Sequence, residues 1–435
     1  MELCEELITL SKEFNKKGHP LYIVGGFVRD SLLGQISPDI DICSSMPVDL
    51  VLDICKKLKI KTTLINKTLG TIQLTYKTKQ FEYTRFRQES YSAHGTHNPD
   101  SVSFVEDISI DTLRRDFTIN SIYYDIEAKT VIDKVGGQKD LQNGIIRTTN
   151  SPDITLQDDG LRILRAVRFA STLDFQFDRK TFKALKTFAA NLNLISKERI
   201  QRELEQIVVA DLKLNKPNTL FLDCCNSLKL PKYMFNSTLG RLPKFRKKDI
   251  ENFYSLSQDA RLIGFYILIL SKWLKYYTNS NHLTYIISVL LGPNGIKESN
   301  DRIKTTEKLY RIIQNLNFNN DILNATINYL TLSNTEREIV EHFIHSKAKE
   351  QLSANISIIK DNNLPLGAHQ LPITAEELIE LGIERKYISK ILSTLYNQVL
   401  SMKVKNTNED LKKLAIEIND TFTTISKQLK EKVWK

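Results

Sequence analysis

A glycine pair set between an apolar strand and a helix start, with two aspartates close behind, constrains this chain more than any other stretch. Residues 21–24 are an apolar run of strand length ended by Gly25 and Gly26. Residues 27–33 carry helical spacing, and Gly34 suits the helix end. Gly25 and Gly26 therefore fall between a strand and a helix N-terminus. Lacking Cβ atoms, they let backbone N–H groups close on an anion. Arg29 lies one turn into the helix and reaches the same place. Asp39-Ile40-Asp41 reads as a second strand, in which alternate residues share a face. Both carboxylates then project together and Ile40 points into the core. Two like charges that close are unfavourable unless a cation sits between them. Hard oxygen ligands with room for phosphates and water suit Mg²⁺. Taken singly, a glycine pair is turn punctuation and an Asp-x-Asp is a solvated strand edge; the order and spacing give the combination its weight.

In this order the stretch resembles the head of the nucleotidyltransferase superfamily, in the class II branch that holds bacterial CCA-adding enzymes and bacterial poly(A) polymerases. The resemblance implies an α/β head, a mixed sheet with flanking helices, followed by an all-α neck, body and tail. The chain has 435 residues, room for about two to four domains. Its formal charge of +10 leans toward a polyanionic partner. No apolar run reaches membrane-spanning length, the longest lying near residues 262–270, and Glu2, Glu5 and Glu6 are unlike the basic start of a signal peptide. Cys4, Cys43, Cys55, Cys224 and Cys225 show no zinc spacing and are odd in number, as expected of reduced thiols in a cytoplasmic protein with no membrane partner.

Residues 1–20 predict an amphipathic helix with Leu3, Leu7, Leu10 and Phe14 on one side, and residues 48–58 another. Residues 62–65, 71–76 and 80–86 predict strands. Gly70-Thr71 before Ile72-Gln73-Leu74 resembles the strand start of CCA-adding enzymes and lacks the basic pattern of poly(A) polymerases. Glu82 falls on the face opposite Phe81 and Tyr83. The resemblance makes it a candidate third carboxylate; a surface strand charge is the alternative. Residues 88–100 read as a polar, flexible loop, in which His94 and His97 are solvated rather than catalytic. The family's loop at this place helps the switch to the final A. Its length here resembles that of complete CCA adders rather than CC-only ones, although His97-Asn98 replace the usual basic pair.

The stretch 111–122 contains Arg114-Arg115-Asp116, with Phe117, Ile119 and Ile122 as packing residues and Asn120 between them. Two arginines beside an acid and an amide suit a ribose-triphosphate; a surface salt-bridge cluster is the plain alternative. It matches the family's RRDFTxN motif. A strand over 130–135 and turns at Gly136-Gly137 and Asn143-Gly144 close the head near residue 147.

Residues 158–170 predict a helix that carries Arg162, Arg165 and Arg168 along one side, with Ile163, Leu164, Val167 and Ala170 opposite. Asp159 lies three residues before Arg162, so the two side chains meet. Together they offer donors and acceptors for the Watson–Crick edge of a base, a contact worth roughly 1–3 kcal/mol of discrimination. Arg165 and Arg168 are better placed for phosphate or for bracing. The stretch resembles the family's template motif Glu-Asp-x-x-Arg, with Asp158 in place of Glu and Gly160 where Pro is usual; a solvated basic face is the alternative. Ser196 to Leu204 matches a bracing motif and is assigned a structural role.

From about residue 216 the reading is helical, with apolar periodicities at 260–276, 282–291, 305–316, 322–329, 337–343 and 375–400. Lys244, Arg246, Lys247, Lys248, Arg302, Lys304 and Lys308 are candidates for phosphate contacts to a duplex RNA stem. The boundaries read from these features are head 1–147, neck 148–215, body 216–345 and tail 346–435. The resemblance implies addition of C, C and A to the tRNA 3′ end from CTP and ATP. Catalysis and metal binding fall to Asp39 and Asp41 with Mg²⁺. Gly26, Arg29, Arg115, Asp159, Arg162, Arg165 and Arg168 would bind the nucleotide, and the tRNA 3′ end and acceptor stem would be the partner. A-only or CC-only addition, poly(A) synthesis, or an inactive RNA-binding module remain as alternatives.

Overall fold

The first apolar stripe forms a helix, α1 (Glu5–Asn15), that buries Leu7, Leu10 and Phe14. In this computed structural model the described residues are 3–91, 95, 99–209, 220–235, 244–274, 283–318 and 320–433. His94, His97 and Asn98 lie outside them. The chain forms two compact units, Met1–Ile303 and Lys304–Lys435.

The first unit opens with a sheet whose strands, apart from the one at residues 122–125, the sequence patterns predict. β1 (Tyr22–Val24) runs into α2 (Gly26–Leu32), then β2 (Ile40–Ser44), α3 (Val48–Lys57), β3 (Lys61–Asn66), β4 (Thr71–Tyr76) and β5 (Lys79–Arg85). A two-stranded ribbon, β6 (Arg87–Ser90) with β7 (Ser101–Phe104), precedes α4 (Ile108–Arg114), β8 (Ile122–Asp125) and β9 (Thr130–Asp133). The seven-stranded sheet has the order β3-β4-β5-β2-β1-β8-β9. Its β2–β5 pair is parallel and the other neighbours are antiparallel, so the sheet is mixed.

Alternation assigns the two faces. Ile23, Ile42, Tyr83, Ile72 and Leu74 are fully buried on one face, against which Phe14 of α1 meets Tyr83 edge-on at 5.8 Å. The opposite face carries Val24, Cys43 and Tyr123, which cluster with Phe86, and continues outward to Asp41 and Glu82. Apolar residues therefore anchor both faces, and the acids sit where the second face opens.

Three sequence expectations shift locally. Asp39 precedes β2 instead of lying in it, because β1 ends at Val24, opposite Asp41, and pairing with β5 starts at Ile40. The polar loop expected from residue 88 begins after Ser90, since residues 87–90 satisfy their backbone groups by pairing with 101–104. The helix expected over 158–170 is two: after α5 (Gly137–Gln142) and β10 (Ile145–Ile146) come α6 (Pro152–Asp158) and α7 (Leu161–Leu173). Asp159 separates them in an extended conformation, its carboxylate accepting from the Leu161 N–H at 2.8 Å.

α7 is buried nearly all round, with Ile163, Leu164, Ala166, Val167 and Ala170 at zero exposure. β11 (Gln176–Phe177) pairs with β10, and α8 (Arg179–Phe188) and α9 (Lys197–Val209) complete the neck. α10 (Leu220–Ser227), α11 (Leu230–Met234), α12 (Lys247–Tyr254), α13 (Gln258–Leu274) and α14 (Leu283–Leu291) continue as expected for a helical body. Lys244, Arg246, Lys247 and Lys248 are exposed. Arg302 pairs with Glu205 at 2.7 Å and Glu298 at 3.3 Å. All five cysteines are unpaired. Among the described residues, no helix is long and apolar enough to cross a membrane.

The second unit is helical: most of α15 (Asn300–Phe318), then α16 (Ile322–Leu330), α17 (Asn334–Phe343), α18 (Ser346–Asp361), α19 (Ala375–Glu380), α20 (Arg385–Leu400) and α21 (Asn408–Val433). Its core gathers Leu378, Ile391, Leu395, Val399, Leu411 and Ala415. The single periodicity at 375–400 is broken at Gly382, whose φ of +84° no helix can carry.

Candidate active site

The floor of the site is built by register. Asp41 on β2 stands opposite Glu82 on β5 and Val24 on β1, so Asp41 and Glu82 project side by side from neighbouring strands. β1 ends at Gly25, which has φ +83° and ψ −140°, a region closed to residues with a side chain. A Cβ on Gly25 would lie 3.2 Å from Asp41 Oδ2, so the turn clears space for that carboxylate. One residue on, a Cβ on Gly26 would lie 3.7 Å from Arg29 Nη2. The glycine pair thus puts Asp41 and Arg29 in one concavity.

The acids strain against each other. Asp41 has exposed surface, yet it sits low among protein atoms, and that desolvation is the largest influence lifting its carboxyl above the usual range. Arg115 pulls it back, Asp39 lifts it further and Arg165 pulls it back again. Glu82 is lifted by desolvation and then by Asp41, against Arg87. Among the described residues no three His, Cys, Asp or Glu side chains gather closely enough to hold a metal by themselves. The donors fit a hard divalent cation all the same: they are carboxylates, and Asp41 and Glu82 are cross-strand neighbours whose like charges a bound cation would offset.

Facing the floor is a set of arginines, each already paired. Arg115 donates to Asp111 Oδ2 at 2.9 and 3.1 Å and to the Tyr123 hydroxyl at 2.9 Å. Arg114 donates to Asp111 Oδ1 at 2.8 Å. Asp111 is fully buried; burial lifts its carboxyl, but Arg115 and Arg114 outweigh that and hold it well below the ordinary range. Arg29 donates to Asn120 Oδ1 at 2.7 Å and pairs with Asp30 at 2.8 Å. Asp116 accepts from Arg165 Nε at 2.8 Å and pairs with its Nη2 at 2.6 Å. Arg168 reaches Glu203 at 3.3 Å and bonds Gln206. Arg29, Arg165 and Arg168 also surround the ring of Phe169, at 5.3, 5.3 and 4.6 Å from its centroid. The neck arginines are not a solvated face. Arg162 and Arg165 meet the Arg-Arg-Asp segment of the head, and Arg168 pairs within the neck.

Asp159 and Arg162 come together, with Nε 3.8 Å from Oδ2. Both are buried, at 5% and 7% exposure. Arg162 spends its fork on the Thr155 carbonyl at 3.1 Å and the Arg114 carbonyl at 2.7 Å. Burial pushes the Asp159 carboxyl up to about 6, with Arg162 and the Leu161 N–H pulling it down. A carboxyl poised there can accept from, or donate to, a base edge. Gly160 is required by close packing: a Cβ would lie 2.7 Å from the Asn191 carbonyl.

The head matches the family model described as the poly A polymerase head domain over residues 21–147. Residues 174–211 match a probable RNA- and SrmB-binding site of polymerase A. The CCA-adding enzyme of Staphylococcus epidermidis is 35% identical over 211 residues, which is 48% of this chain; the chain spans about half (51%) of that protein. The CCA-adding enzyme of Ligilactobacillus salivarius is 32% identical over 313 residues, covering 69% of this chain and 74% of that protein. The chain belongs to the CCA-adding enzyme family. This is a family of nucleotidyltransferases. The crystal structure of the Bacillus stearothermophilus CCA-adding enzyme in complex with CTP is alike in fold, with a TM-score of 0.66 at 22% identity over 97% of this chain and 98% of that one.

For a CCA-adding enzyme, two parts of this site escape sequence reasoning. Asp111 gives only the signal of an acid three and four residues before two arginines, which is ordinary helix spacing. Phe169 reads as a packing aromatic, yet it carries three guanidiniums. The glycine turn yields a direct prediction. Gly25→Ala should cost about 1–3 kcal/mol of stability from the backbone alone. It should also depress nucleotide incorporation further than that loss explains, because the new methyl displaces Asp41. Melting curves and kcat measured on one preparation check both effects.

Proposed function

We propose that this chain adds C, C and A to the 3′ end of tRNA from CTP and ATP, releasing pyrophosphate and using no nucleic-acid template. The observation that supports the reading is the joining of neck to head at the Arg-Arg-Asp segment, where Arg165 pairs with Asp116 at 2.6 Å and Arg162 donates to the Arg114 carbonyl at 2.7 Å. In this reading the carboxylates serve transfer and the neck arginines serve nucleotide binding. Asp39 and Asp41 would hold Mg²⁺. When bound, the ion supplies acidity to the terminal 3′-hydroxyl and neutralises charge on the triphosphate.

The chain's own residues do the rest. Arg29, Arg115, Arg165 and Arg168 bind phosphate and ribose, with Gly26 giving the backbone room to approach. Each guanidinium is held in place by a carboxylate or amide, so it binds the nucleotide already oriented. Asp159 and Arg162 select the base: C and A present different edges, and a carboxyl near its titration point beside a guanidinium meets either. Head 1–147 transfers, neck 148–215 selects, and body 216–345 and tail 346–435 hold the acceptor stem by phosphate contacts, for which Lys244, Arg246, Lys247 and Lys248 are exposed. Five unpaired cysteines and a tRNA substrate agree with the cytoplasm.

The test is extension of tRNA lacking its 3′ terminus. With CTP and ATP the product should grow by three nucleotides and stop. With CTP alone it should stop short of the A. Open-ended A tails would reject the reading in favour of poly(A) synthesis. Growth only on tRNA that already ends in CC would reduce it to A addition.

A further inference from the structure

Glu89 lies outside every group assigned above, and its side chain is only 7% exposed. It sits on β6, two residues before Tyr91. Both of its oxygens are used: Oε1 accepts from Arg87 Nε at 2.7 Å and lies 3.5 Å from Arg114 Nη1, while Oε2 accepts from the Tyr91 hydroxyl at 2.8 Å. Burial lifts its carboxyl, but Arg114 and Arg87 outweigh that and keep it charged. Arg114 in turn supplies the backbone carbonyl that holds the Arg162 fork at 2.7 Å.

A continuous path therefore runs from Tyr91 through Glu89 and Arg114 to Arg162. Tyr91 is half-buried, and its hydroxyl lies within the fields of both Arg162 and Asp159. Four residues on, Gly95 is tied to the other side of the same turn. Its N–H donates to the Gln157 carbonyl at 2.5 Å, and its carbonyl accepts from the Gly160 N–H at 3.3 Å. Tyr91 and Gly95 thus flank Asp159 and Arg162 from the head side.

We propose that Glu89 is a positioning residue for base selection: with Tyr91 it fixes where the Arg162 fork stands relative to Asp159, and so sets which nucleobase the pair accepts. The inference rests on the reading of Asp159 and Arg162 as the base-selecting pair. A carboxylate is needed because it must hold two guanidiniums and a hydroxyl at once. Glutamine keeps the shape but loses the charge and one acceptor.

The test uses the full chain with tRNA lacking its 3′ terminus, comparing kcat/KM for CTP with that for UTP. Glu89→Gln and Tyr91→Phe should each lower the CTP-to-UTP ratio by about tenfold, the scale of one weakened base contact. KM for tRNA should stay unchanged. Tyr91→Phe removes one hydroxyl and should keep the wild-type melting temperature, so it decides the matter if Glu89→Gln folds poorly. The double variant should be little worse than either single one. Both variants keeping the wild-type ratio, in a wild-type protein that adds C, C and A, overturns the inference alone. A wild-type protein that adds nothing overturns the function beneath it as well.

Discussion

Asp41→Ala is expected to cut nucleotide incorporation by at least about a thousandfold, at or beyond the upper end for one lost electrostatic stabiliser. The same variant should fold and bind tRNA as wild type does. The site's own electrostatics separate these outcomes. In the folded protein Asp41 is lifted by desolvation first and by Asp39 in addition, with Arg115 and Arg165 opposing. A carboxyl whose folded pKa is raised above its unfolded value costs stability when ionised, and that cost fades as pH falls through the folded pKa. At neutral pH without divalent cation, Asp41→Ala should therefore melt no lower than wild type. Added Mg²⁺ should raise the wild-type melting temperature through binding linkage and leave the variant unmoved. A variant that turns over like wild type, or that still gains stability from Mg²⁺, would remove Asp41 from the metal site.

That prediction rests on the stretch the sequence made plainest. Strand alternation shows which neighbours share a face with Asp41 within β2 and with Glu82 within β5, and Gly25 suits the φ of +83° that the turn requires. The glycine turn and most of the head's strands are therefore legible without coordinates, while the register that sets Glu82 beside Asp41 is not. The neck is legible in composition but not in geometry. Helical periodicity carries through residue 158 and beyond, yet Asp159 leaves the helix because its side chain caps the Leu161 N–H, a choice that competes locally with helix formation. Which partner each arginine takes is not legible at all. Arg165 with Asp116, Arg29 with Asn120 and Arg162 with the Arg114 carbonyl join residues distant in sequence. Two of these pairings depend on the packing of α7 against the head and that of Arg29 on the packing of α2 within it, and no spacing rule encodes them. Arg302 is a further case: its pairing with Glu205, 97 residues away in sequence, is set by the fold.

Asp111 is the extreme of this class, and replacing it should give the largest loss of stability in the molecule. Asp111→Asn is expected to destabilise the protein by about 3–5 kcal/mol, the scale for breaking a buried ion pair by removing one partner. Its carboxylate accepts from the Arg87 N–H at 3.2 Å, Arg114 at 2.8 Å, Arg115 at 2.9 and 3.1 Å and the Tyr123 hydroxyl at 2.9 Å, with no exposure to water. An amide at this place keeps the volume, but it turns an N–H toward donors and leaves two guanidiniums short of a counter-charge. The pH dependence follows from the sign of the shift. Burial raises the Asp111 carboxyl, Arg115 and Arg114 outweigh it, and the folded pKa ends well below the unfolded value. A depressed carboxyl contributes stability that is fully present above the unfolded pKa, about 4, and is lost as pH falls toward the folded value. Denaturation midpoints taken from pH 7 downward should therefore show a wild-type-to-variant gap that is constant at neutral pH and narrows only below about pH 4. A gap that is small at pH 7, or one that widens on acidification, would mean that Arg114 and Arg115 are held by something other than Asp111.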